Sequence, residues 1–346
     1  MILGLMVAAL LAAPARAAEV GVSAQGHATN PAWSRDGQYL AFEMNTFGGS
    51  IDLYVVKVQN GTAMGAPQQV KLPGASSSFA GAGSIAVSPN WHPQGRLIFE
   101  GSNKGGTSRL YDWAPGGSSA TELLASTQIA GDLTWPTIRA DGGSIGFVSD
   151  ASGLGDLYVW DRTSNKVVQV LTSPFTESAP RYGQGDTMAY SRKNQGSEDL
   201  FTFTGGKSVP LVGGNGDQSR PTWASTAVLF FSSERGADHW DLVVSTGVGQ
   251  KAVLAKDVRL PDRATPAMTP DGLWVAYGLS DPGRDDRIVF TRVDGSRTVE
   301  VPTGLVACGE PAVVEAGGRW YLAFTALPSQ GSDWRGLHVI DITGKL

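Results

Sequence analysis

The chain has 346 residues, 41% of them apolar and 17% charged, with a formal net charge of −5. It has no basic run, which argues against wholesale binding to nucleic-acid phosphate or to an anionic membrane surface. Its single cysteine, Cys308, excludes an internal disulfide and a cysteine-based zinc cluster, and is expected to be a small buried thiol. The 45 glycines and 19 prolines are spread along the chain as punctuation, the pattern of an all-β protein made of many short elements and turns.

Residues 2–13, ILGLMVAALLAA, are an apolar run too short to span a bilayer, where about 20 residues are needed. Pro14-Ala15-Arg16-Ala17 follows with the small residues a signal peptidase accepts, so residues 1–17 are expected to be a signal peptide. The mature domain is then residues 19–346, exported to the periplasm or secreted, and not membrane-spanning. Glu19-Val-Gly-Val-Ser23 alternates like a strand.

From Asn30 the chain is built of copies of one unit. In the first copy, Pro31-Ala-Trp33 is an apolar run stopped by Asp36-Gly37, a turn signal in which glycine supplies the positive φ. Tyr39-Leu-Ala-Phe42 is a second strand, and Asp52-Leu-Tyr-Val-Val56 a third. The opening recurs at Pro89, Pro136, Pro180, Pro221, Pro266 and Pro311, at intervals of 58, 47, 44, 41, 45 and 45 residues. The second strand ends each time on an aromatic: Phe99, Phe147, Tyr190, Phe231, Tyr277 and Phe324.

A further short run follows each of the first six copies, for example Gln69-Val-Lys-Leu72 and Val167-Val-Gln-Val170. These are natural outer strands, where a proline such as Pro210 is tolerable. The seventh copy ends at Asp341-Ile342 without one, so the N-terminal strand is expected to complete it. The reading is an all-β fold, a seven-bladed β-propeller of four-stranded blades closed by the N-terminal strand, with six blades as the alternative.

The segments PAWSRDGQYLAF with IDLYVV, and PAMTPDGLWVAY, resemble the TolB-type propeller repeat. The resemblance covers essentially the whole mature chain, and that repeat type serves proteins with different tasks. It includes TolB of the Tol–Pal envelope system, the propellers of prolyl-oligopeptidase-like peptidases and some sugar-acting enzymes. The chain is expected to be the propeller alone, without the N-terminal domain of TolB and without a hydrolase domain.

No G-x-S-x-G, H-E-x-x-H or G-x-x-x-x-G-K motif is present. His27, His92, His239 and His338 fall at non-equivalent repeat positions and read as local, not as a shared metal site. The residues just before the prolines (Asn30, Ser88, Trp135, Ala179, Arg220, Thr265 and Glu310) are expected to ring one channel mouth, with Glu177, Arg181 and Arg263 nearby. A ring holding Asn30, Trp135, Glu177, Arg181, Arg220, Arg263 and Glu310 can bind a peptide or carboxylate, or can salt-bridge within itself and plug the channel. Trp33, Trp91 and Trp223 share one repeat position and read as packing between units. Asp150, Glu234, Asp238, Asp281, Asp285 and Asp286 lie in loops and could hold Ca²⁺; no other cofactor is expected. The loop 73–83 is the best lid or docking segment. The expected function is non-catalytic binding of an envelope protein or peptide; the alternatives are an enzyme acting on a sugar or peptide, or a structural subunit using the blade sides.

Overall fold

The computed structural model describes residues 17–22, 25–46, 48–74, 84–103, 106–127, 129–194, 196–280 and 285–346. Most of the expected signal peptide and most of the expected lid loop lie outside these residues. Among the described residues no helix is long and apolar enough to cross a membrane, and the one helical element is a 3-10 turn, Ala125–Thr127. The rest is strand and turn.

Each sequence copy forms an antiparallel sheet in which consecutive strands are neighbours. Unit 3 is typical, with strands Leu133–Ile138, Ser144–Ser149, Asp156–Asp161 and Lys166–Leu171 in that order. Units 4, 5 and 6 repeat it over residues 176–212, 218–255 and 267–300. Units 1 and 2, residues 27–69 and 85–122, do the same and are joined by one parallel bridge, Ile51 to Ile85. Unit 7 takes Val306–Ala316, Arg319–Leu327 and Gly336–Asp341 from the C-terminus, and its fourth strand is Ala18–Val20, paired through Glu19 with His338. This is a β-propeller architecture, in which the first strand of each unit lies innermost.

The inner strands start earlier than the sequence suggested. The first is His27–Trp33, so the residue before the proline is in the middle of the strand, not at its entrance. Register breaks there in six units, as between Thr29 and Ala32 or Val87 and Asn90, leaving the pre-proline residue and the proline unopposed. The pre-proline residue takes a left-handed conformation, with φ of 47° at Asn30, 57° at Ser88, 54° at Trp135, 47° at Ala179, 56° at Arg220 and 49° at Glu310. A bulge of this kind exposes two unpaired amides, but proline has no N–H, so only one remains to be satisfied. That explains the recurring proline. Unit 6 differs: Thr265 is not among the left-handed residues, and its inner strand is only Ala267–Met268.

Between units the expected tryptophans do the packing. Trp33 Nε1 donates to Ala312 O at 3.2 Å, Trp91 Nε1 to Ala32 O at 2.9 Å and Trp223 Nε1 to Arg181 O at 2.9 Å. Each acceptor directly follows the proline of the preceding unit, or of unit 7 for the first. Inside the units the second-strand aromatic stacks on the third-strand aromatic opposite it, with ring centroids 5.8 Å apart for Phe42–Tyr54 and 5.6 Å for Phe99–Tyr111. In unit 7 that third-strand place belongs to His338, buried against Phe324 at 5.8 Å. Cys308 is fully buried.

Candidate functional site

In four of the six bulges, at Asn30, Ser88, Trp135 and Arg220, the remaining amide is capped by a side chain. Glu43 Oε1 accepts from Ser88 N at 2.8 Å, Glu100 Oε2 from Trp135 N at 3.3 Å and Ser191 Oγ from Arg220 N at 3.3 Å. All three caps occupy one repeat slot, the residue after the second-strand aromatic, and each serves the next unit. Asn30 N is served across the chain ends by Glu310 Oε2 at 2.6 Å, and Asn30 Nδ2 donates to Glu43 Oε1 at 2.7 Å. Glu43, Glu100 and Glu310 are 2%, 3% and 6% exposed, so the channel wall carries buried carboxylates. Burial pushes all three up from the ordinary carboxylate range, Glu43 to about 7, against the hydrogen bonds that favour its charged form. Sequence reasoning missed Glu43 and Glu100. The signal was the repeated Phe-Glu in LAFE and LIFE.

Arg263 comes from the segment joining units 5 and 6 and reaches units 2 and 3. Its Nη1 donates to Glu100 Oε2 at 3.1 Å and to Ser88 Oγ at 3.3 Å, and its guanidinium lies 5.3 Å from the Trp135 ring centroid. A cavity of 420 Å³ opens beside it, lined by Trp135, Ser178, Ala179, Glu198, Asp217, Ser219, Arg220, Trp240, Leu260, Asp262 and Arg263. Arg220 Nη1 is buried here without a hydrogen-bond partner. Burial pulls the Arg220 guanidinium down and pushes the Glu198 carboxyl up.

Of the expected site residues, Trp135, Arg220 and Arg263 therefore meet at this cavity. Asn30 and Glu310 belong to the adjoining carboxylate hub. Glu177 is turned away into unit 4, where it accepts from Arg192 Nε at 2.8 Å and Ser173 Oγ at 2.6 Å. Arg181 folds back on the Pro180 carbonyl at 3.0 Å, and burial pulls its guanidinium down to about 10. The plug expected as an alternative is present in part, as the Arg263–Glu100 ion pair. Trp240 also lines the cavity.

Three of the loop acids have other partners. Asp150 accepts from Asp132 N at 2.6 Å, Glu234 pairs with Lys251 and Asp286 with Arg259, while Asp281 lies outside the described residues. Among the described residues no three of His, Cys, Asp and Glu converge as metal ligands.

A β-propeller whose bulged inner strands present a mixed arginine, tryptophan and carboxylate mouth defines the class. The chain belongs to the TolB beta propeller domain family, whose sequence profile matches residues 7–227. No curated protein matches the chain in sequence. Among solved structures, TolB from Acinetobacter baumannii is similar at 16% identity and a TM-score of 0.56, over 81% of this chain and 67% of that one. A puromycin-hydrolyzing peptidase of Mycobacterium tuberculosis is similar at 13% identity and a TM-score of 0.64, over 93% of this chain and 52% of that one. Oligogalacturonate lyase from Vibrio parahaemolyticus is similar at 10% identity and a TM-score of 0.58, over 93% and 92%. The chain spans about half the length of the peptidase. At these identities the likeness is one of fold.

Proposed function

We propose that this chain is an exported, non-catalytic propeller that binds a peptide or a segment of a partner protein at its channel mouth, within a cell-envelope system of the Tol–Pal kind. The observation that carries the reading is the 420 Å³ cavity between Trp135 and Trp240, into which Arg220 brings a buried Nη1 without a partner. Charged and polar walls that include two tryptophans suit a ligand with both apolar and hydrogen-bonding parts. A mixed arginine and tryptophan rim favours binding over catalysis on a sugar or peptide. Membership of the TolB family supports the envelope setting, periplasmic or secreted. The sheets are read as a seven-bladed ring, with the pairing of Ala18–Val20 to Gly336–Asp341 as its clasp; an experimental map down the axis that counts six sheets would refute it.

The test is capture from an envelope fraction with the mature chain and with an Arg220→Ala/Glu310→Ala variant of unchanged circular dichroism. A partner retained by the first and lost by the second is expected. Identical partners on both would remove the mouth as the binding site.

A further inference from the structure

Unit 6 breaks the pattern of the other units, and the break has a purpose that its geometry suggests. Elsewhere the residues ahead of the proline pair with the second strand through the bulge. In unit 6 that pairing is made further back, by Val258 opposite Leu279 and by Arg259 N–H to the Gly278 carbonyl at 2.8 Å, and the chain then loops out before rejoining at Ala267–Met268; the backbone of Leu260–Thr265 makes no hydrogen bond to any described residue. The slot that carries a capping side chain in units 1, 2 and 4 is Gly278, where an added Cβ would stand 3.3 Å from Arg259 Cβ and from the Cys308 carbonyl. So Leu260–Thr265 is an excursion whose two ends are held by the sheet while its middle is not. Among the described residues, what ties it across the channel is the Arg263 side chain.

The receptor for that side chain is built from other units. Glu100 is 3% exposed and held by Trp135 N–H, Ser88 supplies a hydroxyl, and the Trp135 ring gives a face for a cation. A buried carboxylate, a hydroxyl and an indole face together form a guanidinium site. The surrounding charge has the same sign preference. Along the cavity, Glu198, Asp217 and Asp262 face only Arg220 and Arg263, so with Arg263 withdrawn the acids outnumber the remaining cation three to one.

We infer that Glu100, Ser88 and Trp135 form a recognition site for an arginine side chain of a basic peptide segment, and that Arg263 is a resident stand-in which such a segment displaces. The inference rests on the channel-mouth reading and names the chemistry of its ligand. Displacement exchanges one guanidinium for another on the same acceptors, so Glu100 is never left as an unpaired buried charge. The cost is the release of Arg263 from its seat on a strap that is otherwise held at its start, where Leu260 packs on the core and Pro261 is buried. The strap therefore sets a threshold: a ligand without a cation to offer in exchange leaves the mouth closed at this corner.

The probe is acetyl-Gly-Arg-Gly-amide, with the isosteric citrulline peptide as its uncharged control. Both are titrated calorimetrically into the mature chain, into Arg263→Ala and into Arg263→Ala/Glu100→Gln. Arg263→Ala is expected to bind the arginine peptide about tenfold more tightly than the parent, because the competing state is removed. The citrulline peptide should gain nothing, and the double variant should lose the gain while keeping the unfolding midpoint of the single variant, since glutamine still accepts from Trp135 N–H. Equal affinity for the two peptides in Arg263→Ala, or a gain that survives Glu100→Gln, would overturn the inference. If Arg220→Ala/Glu310→Ala loses its captured partner while Arg263→Ala gains no arginine binding, the guanidinium site fails and the mouth stands. If arginine binding is gained but captured partners are unchanged by Arg220→Ala/Glu310→Ala, the mouth reading fails and the guanidinium site stands.

Discussion

Glu43→Gln is expected to make the protein more stable at pH 7.5 and to flatten much of its stability profile between pH 5 and pH 7.5. In the unfolded chain Glu43 ionises near its ordinary value of 4.5, whereas in the folded chain burial pushes it up to about 7. Between those values the folded state binds the extra proton, so stability falls as pH rises. At 1.36 kcal/mol per unit, Glu43 alone removes about 2–3 kcal/mol from pH 5 to pH 7. Burial also pushes Glu100, Glu177, Glu198 and Glu310 up, while it pulls His27, His92 and His338 down from 6.5 and so adds stability as pH rises through the same window; the slope left in the variant is the balance of the two sets. Asp141, Asp161, Asp257 and Asp294 are held below their ordinary range by Arg139, the Ser164 N–H, Arg235 and Ser296 respectively. They act in the opposite direction, but only below about pH 4. Urea unfolding at pH 5, 6 and 7.5 measures the effect. A glutamine variant with the parental slope would show that Glu43 is charged in the folded state throughout.

Trp91→Ala is expected to cost about 3–5 kcal/mol, the range for removing a buried aromatic. Trp91 is 6% exposed and stacks on Tyr39 with centroids 6.0 Å apart. Its indole N–H also ties unit 2 to the Ala32 carbonyl of unit 1, so the truncation opens a void and orphans an acceptor at one joint. Trp91→Phe keeps most of the volume and loses the hydrogen bond, which places it at about 1–2 kcal/mol. Val248→Ala, at a valine 68% exposed, should stay within about 0.5 kcal/mol and serves as the control. Chemical denaturation midpoints order the three. A Trp91→Ala variant as stable as Val248→Ala would mean that the joints between units contribute little to the folded state.

The repeat itself was legible because each unit carries the same punctuation: a proline, an Asp-Gly or similar turn, an aromatic and an outer run. The first half of each inner strand was not. His27, Thr29 and Asn30 are polar, and the bulge interrupts the period-two pattern by which a strand is recognised. Glu43 and Glu100 escaped notice for a related reason. An acid next to an aromatic on a strand reads as the solvent face, and only the convergence of inner strands on a channel turns that face inward. Trp135, Arg220 and Arg263 were legible from their distance to the prolines. Glu177 was not separable from them, because the same reasoning cannot tell that Arg192 claims it from the neighbouring strand. The sixth unit has as clear an Asp-Gly turn as the first, so nothing local announced the excursion of Leu260–Thr265 ahead of its proline.

The left-handed residue ahead of each proline has one more consequence, which concerns how such a protein can change over generations. Side chains as different as those of Asn30, Ser88, Trp135, Ala179, Arg220 and Glu310 share one backbone state there, although those of Asn30 and Glu310 are themselves tied into the frame. Four adjacent addresses, at Ser88, Trp135, Ala179 and Arg220, can thus be rewritten one at a time without a change of backbone state. New binding preferences lie single substitutions away, and relatives with a shared frame are free to diverge in what they hold.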